Sequence, residues 1–258
     1  SEIRIPVYLG ADWDNVSVHL QTPFLALERL SADVPHRVTM APRGALQWPW
    51  ESLHIEALSW FDHWLKGRDT GIMEGKPIRY YVEGVEEWRE ADTWPLPETR
   101  YDPFHLCADG RLAAEEGAAG DRSYLYLPKS LNRPRNANPP PLPPRLSWTT
   151  EPFTEPAEIV GPPRLRLCAS SSAVDTDWIV KLQDVAPDGT ARNLTQGWLR
   201  ASHRALDPAR STPYRPEHPH DRAEALTPNE ITWFEIAILP TAHHFRAGHR
   251  LRLALASA

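Results

Sequence analysis

The sequence predicts an α/β layer followed by an all-β part built as a sandwich or jelly roll, and three observations carry that prediction. Strand, helix and strand alternate between Ile3 and Met40. A long aromatic-faced helix then ends at Gly67. Beyond Gly71, short alternating segments follow one another between Gly, Pro, Asn and Asp, with no helical period. Alternating β and α elements belong to a parallel sheet, and many short strands with frequent turns belong to a sandwich or jelly roll.

Ile3 to Leu9 alternates as a short buried strand and gives way to the polar loop Gly10-Ala11-Asp12-Trp13-Asp14-Asn15. Val18 to Leu30 places Leu25, Leu27 and Leu30 among polar residues, a helix with Pro23 in its first turn, where a missing N–H costs nothing. His36 to Met40 is the next strand, stopping at Ala41-Pro42-Arg43-Gly44. From about Glu51 to Lys66, residues Leu53, Ala57, Leu58, Phe61, Trp64 and Leu65 recur at three- and four-residue intervals, an apolar face expected to pack on the sheet. Lys66 suits the negative end of the helix dipole, and Gly67 suits a left-handed C-terminal cap.

Pro77 to Val82 reads as a strand with Glu83-Gly84 as its turn, and Trp88 to Pro95 opens a proline-punctuated region. Later strands are expected over Tyr124–Leu127, Pro163–Ala169, Trp178–Val185, Gly197–His203, Ile231–Leu239 and His249–Leu255. The proline-rich stretch from Asn132 to Arg145 reads as an extended connection.

Composition excludes some functions. With 28 Lys and Arg dispersed among 34 acids and a net charge of -6, the chain lacks the clustered basic surface a nucleic-acid partner needs. No apolar run approaches the length of a membrane span, so no membrane role is expected. Cys107 and Cys168 lie far apart without metal-ligand spacing, which suits a reducing, cytoplasmic setting, with a single bridge left open. The opening residues do not read as a signal peptide, and a start on Ser at a strand suggests a protein that begins upstream.

Asp14 follows a parallel strand, where α/β enzymes place catalytic groups, and an acid there can orient a histidine and stabilise its cation. A structural role such as capping is an equal alternative, and Asp12 is the local competitor. The loop after the next strand, Met40 to Gln47, holds no histidine, so His54 is the nearest candidate base, with packing or solvent bonding as the other reading. His36 precedes its strand and falls at the opposite edge. No Gly-x-Ser-x-Gly elbow occurs, so the nucleophile and the oxyanion hole that such a turn provides are missing from these residues. His218-Pro219-His220-Asp221 and His243-His244 offer metal donors but lack ligand spacing, so no metal and no cofactor are expected. The 11 tryptophans fit core packing better than a sugar-binding platform.

In their joint order, several segments resemble the CocE/NonD hydrolases, the family of bacterial cocaine esterase, α-amino acid ester hydrolases and X-Pro dipeptidyl-peptidases. They are Trp60 to Gly67 with Asp69-Thr70-Gly71-Ile72, Pro77 to Gly84 with Trp88 to Pro95, Asp175-Thr176-Asp177-Trp178, Lys181 to Val185, Pro187-Asp188-Gly189, Gly197 to Arg200 and Gly248 to Leu253. The resemblance implies residues 1–75 as the C-terminal part of an α/β-hydrolase domain and 76–258 as a galactose-binding-like jelly roll of the X-Pro dipeptidyl-peptidase C-terminal type. Gly10-Ala11-Asp12-Trp13-Asp14 is similar to the family's Gly-Gly-Trp-Tyr-Asp and assigns the acid to Asp14. Where the family has Gly-Pro-Trp-x-His, this chain has Ala41-Pro42-Arg43-Gly44-Ala45, so the histidine does not carry over.

The function implied is the C-terminal portion of a serine hydrolase acting on a small ester or amide substrate. Its N-terminal hydrolase half would lie in the same chain or a partner, and a homo-oligomer is left open. The alternatives are a non-catalytic family member and an independent β-sandwich binding module. The sequence leads us to expect a chain truncated at both ends or in need of a partner polypeptide.

Overall fold

A computed structural model describes residues 2–16, 19–46, 53–126 and 143–257. Strand β1 (Val7–Asp12), helix α1 (Thr22–Arg29), strand β2 (His36–Ala41), helix α2 (His54–Lys66), strand β3 (Ile78–Val82) and strand β4 (Glu87–Ala91) open the chain. The four strands form one sheet in the order β1-β2-β3-β4. β2 runs parallel to both β1 and β3, while β4 is antiparallel to β3. Together with Glu158–Gly161 and Pro240–His244, residues Ser1–Thr99 make up the first of two compact units.

Register assigns the two faces of this sheet. Gly10 pairs with Thr39, and Thr39 with Arg79; these residues and Tyr8 face α2. There Glu56 of α2 accepts hydrogen bonds from the Tyr8 hydroxyl and, at 2.9 Å, from Arg79 Nη1, while Tyr8 and Thr39 hydroxyls lie 3.0 Å apart. Burial, then the bond to Glu56, pushes the Tyr8 hydroxyl well above its ordinary pKa. The opposite face carries Met40 and Tyr80 under an aromatic cluster in which Phe24 of α1, Trp13 and Tyr80 surround Trp94, at 4.9, 6.4 and 5.6 Å between ring centroids. Helices therefore cover both faces, as a parallel sheet requires.

Several expectations shift. β1 begins at Val7 rather than Ile3, and both Ile3 and Ile5 are exposed. α2 packs on the sheet through Trp60, 5.5 Å from the Tyr8 ring, and through Glu56, whereas Leu58, Phe61 and Leu65 of the expected inner face point to solvent. The helix is turned relative to the expected face: Leu53 still approaches Gly10, but Trp60 and Glu56, which bonds Tyr8 and Arg79, make the main contacts with the sheet. Gly67 ends the helix in the left-handed conformation at φ 64°, its N–H bonded to the Asp62 and His63 carbonyls. Tyr124 to Tyr126 form no strand, and most of the proline-rich connection, with Leu127, lies outside the described residues.

Strands β5 (His105–Leu106), β6 (Leu112–Ala113), β7 (Leu146–Thr149), β8 (Ala157–Gly161), β9 (Arg164–Ala169), β10 (Asp177–Val185), β11 (Ala191–Arg200), β12 (Thr232–Ala237), β13 (Thr241–Phe245) and β14 (Arg250–Ala256) follow. β13 pairs with β8. The second unit, Arg100–Ala157, Pro162–Leu239 and Phe245–Ala258, holds the antiparallel sheet β11-β10-β14-β7 and the pair β12-β9. Its core comes from period-two alternation: Trp178, Val180 and Leu182 of β10 and Leu251, Leu253 and Leu255 of β14 are buried, as are Phe234 and Ile236 of β12. Trp178 and Phe234 meet at 5.4 Å. Gly197 of β11 is required by close approach, because a Cβ there would lie 2.2 Å from the Ala237 carbonyl oxygen. Cys107 and Cys168 are both free.

Candidate functional site

Parallel strands deliver their following loops to one edge of a sheet, and that edge here gathers the exits of β1, β2 and β3. Asp12, the last residue of β1, is buried and organises two loops: one carboxylate oxygen accepts the Asp14 N–H at 3.2 Å and the other the Leu46 N–H at 3.2 Å. Trp13 is buried beneath, its indole N–H donating to the Tyr81 carbonyl at 2.8 Å. This fixes Asp14 at the rim, with its carboxylate in solvent.

Arg43, in the loop after β2, donates from Nη1 to Asp14 at 2.6 Å. Its backbone N–H donates to Oε1 of buried Glu83 at 3.0 Å, and its Nε stands 4.0 Å from Oε2 of the same carboxylate. Glu83 is itself built in, exchanging backbone bonds of 3.1 and 2.8 Å with Ala242 and His244. One arginine thus ties the exit of β1 to that of β3.

Asp14 stands where the sequence reading put it, after a parallel strand. His54 is the first residue of α2 and is exposed. α2 starts beside Gly10, where Leu53 approaches, and passes Tyr8 with Glu56, so it runs antiparallel to β1 and its first turn lies toward the same edge as Asp14. The side chain paired with Asp14 is Arg43. His36 bonds the Val34 carbonyl at 2.9 Å at the amino end of β2. Asp12 serves the backbone rather than a histidine.

Arg43 and Glu83 were the residues sequence reasoning missed as a pair. A signal existed, since Glu83 follows β3 directly and Arg43 follows β2 by two residues. Chemically, an arginine can hold a carboxylate or an oxyanion but stays charged, so it cannot take a proton as a general base.

Three other histidines, singled out as possible metal donors, have neighbours within the protein. Ring nitrogens of His218 contact the Ala205 and Glu235 carbonyls at 3.0 and 2.9 Å. The His220 ring lies tilted against those of His203 and His218, at 5.2 and 6.0 Å between centroids, and burial, then those two neighbours, lower its pKa. His243 is buried in β13. Among the described residues, no group of three His, Cys, Asp or Glu is placed to hold a metal. Among them too, no helix is long and apolar enough to cross a membrane.

A helix-covered, largely parallel sheet with an acid at a strand exit, followed along the chain by a strand-rich unit, defines a class: a mixed α/β and all-β protein. Comparison with known proteins makes it specific. Residues 70–258 match the model of the X-Pro dipeptidyl-peptidase C-terminal non-catalytic domain, and the chain belongs to that family. It is 33% identical over 228 residues to a protein of Mycobacterium bovis named as a serine esterase, covering 79% of this chain and 36% of that one. It is 34% identical over 225 residues to the cocaine esterase of a Rhodococcus species, covering 77% of this chain and 37% of that one. A CocE/NonD family hydrolase from Staphylococcus aureus superposes with a TM-score of 0.77 at 23% identity, over 97% of this chain and 46% of that one, a likeness of fold. The CocE/NonD resemblance read from the sequence therefore holds. The chain spans little more than a third of the curated relatives it matches.

Proposed function

We infer that this chain is the C-terminal portion of a serine hydrolase of small esters or amides, its nucleophile carried by polypeptide outside these residues. In this reading β1 to β3 are the last strands of an α/β-hydrolase sheet, and the second unit is a jelly roll that supports substrate binding or assembly. The observation that carries it is Asp14, held by Asp12 and Trp13 at the exit of a parallel strand, where an acid can orient a histidine. His54 is the candidate base from this chain.

A second reading, a non-catalytic binding or scaffold member, is favoured by the ion pair between Arg43 and Asp14, which gives the acid an arginine in place of a histidine. Labelling with a serine-directed fluorophosphonate separates the two. The full reading frame should label, this chain alone should not, and Asp14→Asn should slow labelling by about 10²- to 10⁴-fold. A full-length protein that melts cooperatively yet never labels supports the scaffold reading. Labelling indifferent to both Asp14→Asn and His54→Ala removes these residues from the mechanism.

A further inference from the structure

The sheet β11-β10-β14-β7 of the second unit turns one face inward, where Trp178 of β10 meets Phe234 of β12, and the other outward. Register lays out the outward face in rows: Trp198 beside Ile179, then Lys181 beside Ala254, then Gln183 beside Arg252. Core packing accounts for Trp13, Trp60, Trp148 and Trp178, all buried, but not for Trp198, which is 49% exposed on this face. A single exposed indole needs no explanation. The charges beside this one are what call for a ligand.

The four strands contain only two acids. Asp184 is buried and bonded to His249 at 2.7 Å, and Asp177 is held by Arg200 through bonds of 2.9 and 3.0 Å. Lys181 and Arg252 stand diagonally on β10 and β14, about 7–8 Å apart, and among the described residues neither has a carboxylate within ion-pair distance. Arg252 is steadied by its Nε, which donates to Thr149 Oγ1 at 3.1 Å. Ala254, opposite Lys181, is too short to reach over the ammonium. On a chain of net charge -6, two neighbouring cations without a counter-ion mark a place for an anion from outside.

The third component is a polar fringe. Gln183 Nε2 donates to Asn193 Oδ1 at 2.8 Å, which leaves the Gln183 amide oxygen and the Asn193 N–H groups for a ligand. Trp198 is itself diagonal to Lys181, about 7–8 Å away and within reach of a lysine stem.

We propose that this outward face binds an acidic saccharide. A uronate ring rests on the Trp198 indole beside Ile179, carboxylates of successive rings pair with Lys181 and Arg252, and Gln183 and Asn193 take hydroxyls. A peptide strand has no edge to join here, because β10 and β14 are each paired on both sides. One indole and one isoleucine are too little for an apolar partner. The site lies within the second unit and goes beyond the hydrolase reading, on which it does not depend.

Isothermal titration of the full-length protein with the trisaccharide of galacturonic acid, and with the neutral trisaccharide of galactose as the contrast, tests this. Saturable binding of the acidic probe is expected at a Kd of about 10⁻⁴ M or tighter, with the neutral probe at least about 10-fold weaker. Trp198→Ala and Lys181→Gln should each keep the melting temperature and lose at least about 10-fold in affinity. Trp233→Ala, at an equally exposed indole outside this sheet, should bind as the natural protein does. Raising salt from about 50 to about 500 mM should weaken the acidic probe at least about threefold. No saturable binding of galacturonate or glucuronate trisaccharides up to about 10 mM overturns the proposal, as does equal binding of the neutral probe or unchanged affinity in both variants. A hexaglutamate peptide that binds more tightly than either saccharide and is lost with Trp198→Ala also overturns it and gives the face to acidic peptides.

Discussion

The carboxylate of Asp14 has a side chain 53% exposed and the guanidinium it meets only 16% exposed, so the two members of this pair carry different weight. An exposed ion pair contributes about 0–1 kcal/mol, and Asp14→Asn should cost no more than that in urea unfolding. A loss above about 2 kcal/mol would make Asp14 a structural acid and leave its position at the strand exit without functional meaning. Asp12 is the contrasting case, buried with two backbone N–H groups on its oxygens, and Asp12→Ala should cost about 2–4 kcal/mol by leaving both donors unserved. Reading the loop acid from the sequence was feasible because Asp14 lies in the loop just after a strand. Its partner was not legible: Arg43 is 29 residues away, and the contact depends on Asp12 pairing with Ala41 in the register of β1 and β2. A second acid, Glu158, accepts two bonds of 2.9 Å from Arg89, which holds its pKa below the ordinary carboxylate value. A depressed folded-state pKa gives stability that is present above the unfolded value and lost as pH falls through the folded one. The melting difference between the natural chain and Glu158→Gln should therefore shrink as pH is lowered from about 6 to about 3.

Elements were legible in proportion to how local their causes are. α1 with Pro23 in its first turn, β2, the Gly67 cap and the alternating strands β10, β12 and β14 follow from propensity and period alone. The inner side of α2 did not, because a helix with apolar residues on both sides offers two candidate faces and only the sheet beneath decides between them. β8 and β13 were missed for a related reason: each is short, and β13 carries two histidines where an apolar pattern was sought. Backbone proximity makes a sharper demand than propensity at two glycines. Gly84 has φ 90° and would place a Cβ 2.2 Å from the His244 carbonyl oxygen, and Gly197 would place one 2.2 Å from that of Ala237. Neither obstacle is a flexible side-chain end, so alanine at either position should cost about 2 kcal/mol or more, with Gly84 the worse because it adds backbone strain. An alanine variant at Gly197 that melts with the natural chain would mean that β11 and β12 separate without penalty.

At the scale of the whole chain, contiguity in sequence and compactness in space part company. The first unit is completed by Glu158–Gly161 and Pro240–His244, which reach it from far along the chain. Glu83 sits in a parallel bridge with His243, Arg89 is held by Glu158, and Thr99 donates to the Val160 carbonyl at 3.2 Å. A division after residue 75 would moreover part β2 from β3, whose pairing buries Val38, Met40, Ile78 and Tyr80. Apolar burial is the main favourable term in folding, and each such side chain contributes about 1.5–3 kcal/mol, so losing several is comparable to the whole net stability of a small domain. Residues 1–75 expressed alone should therefore lack a cooperative melt, and residues 1–99 should recover one only when the strands of 158–161 and 240–244 are supplied. Circular dichroism melting of the two fragments measures this directly. A sharp transition in the shorter one would show that β1, α1, β2 and α2 hold together without β3, and the first unit would then end before the strand that joins it to the rest.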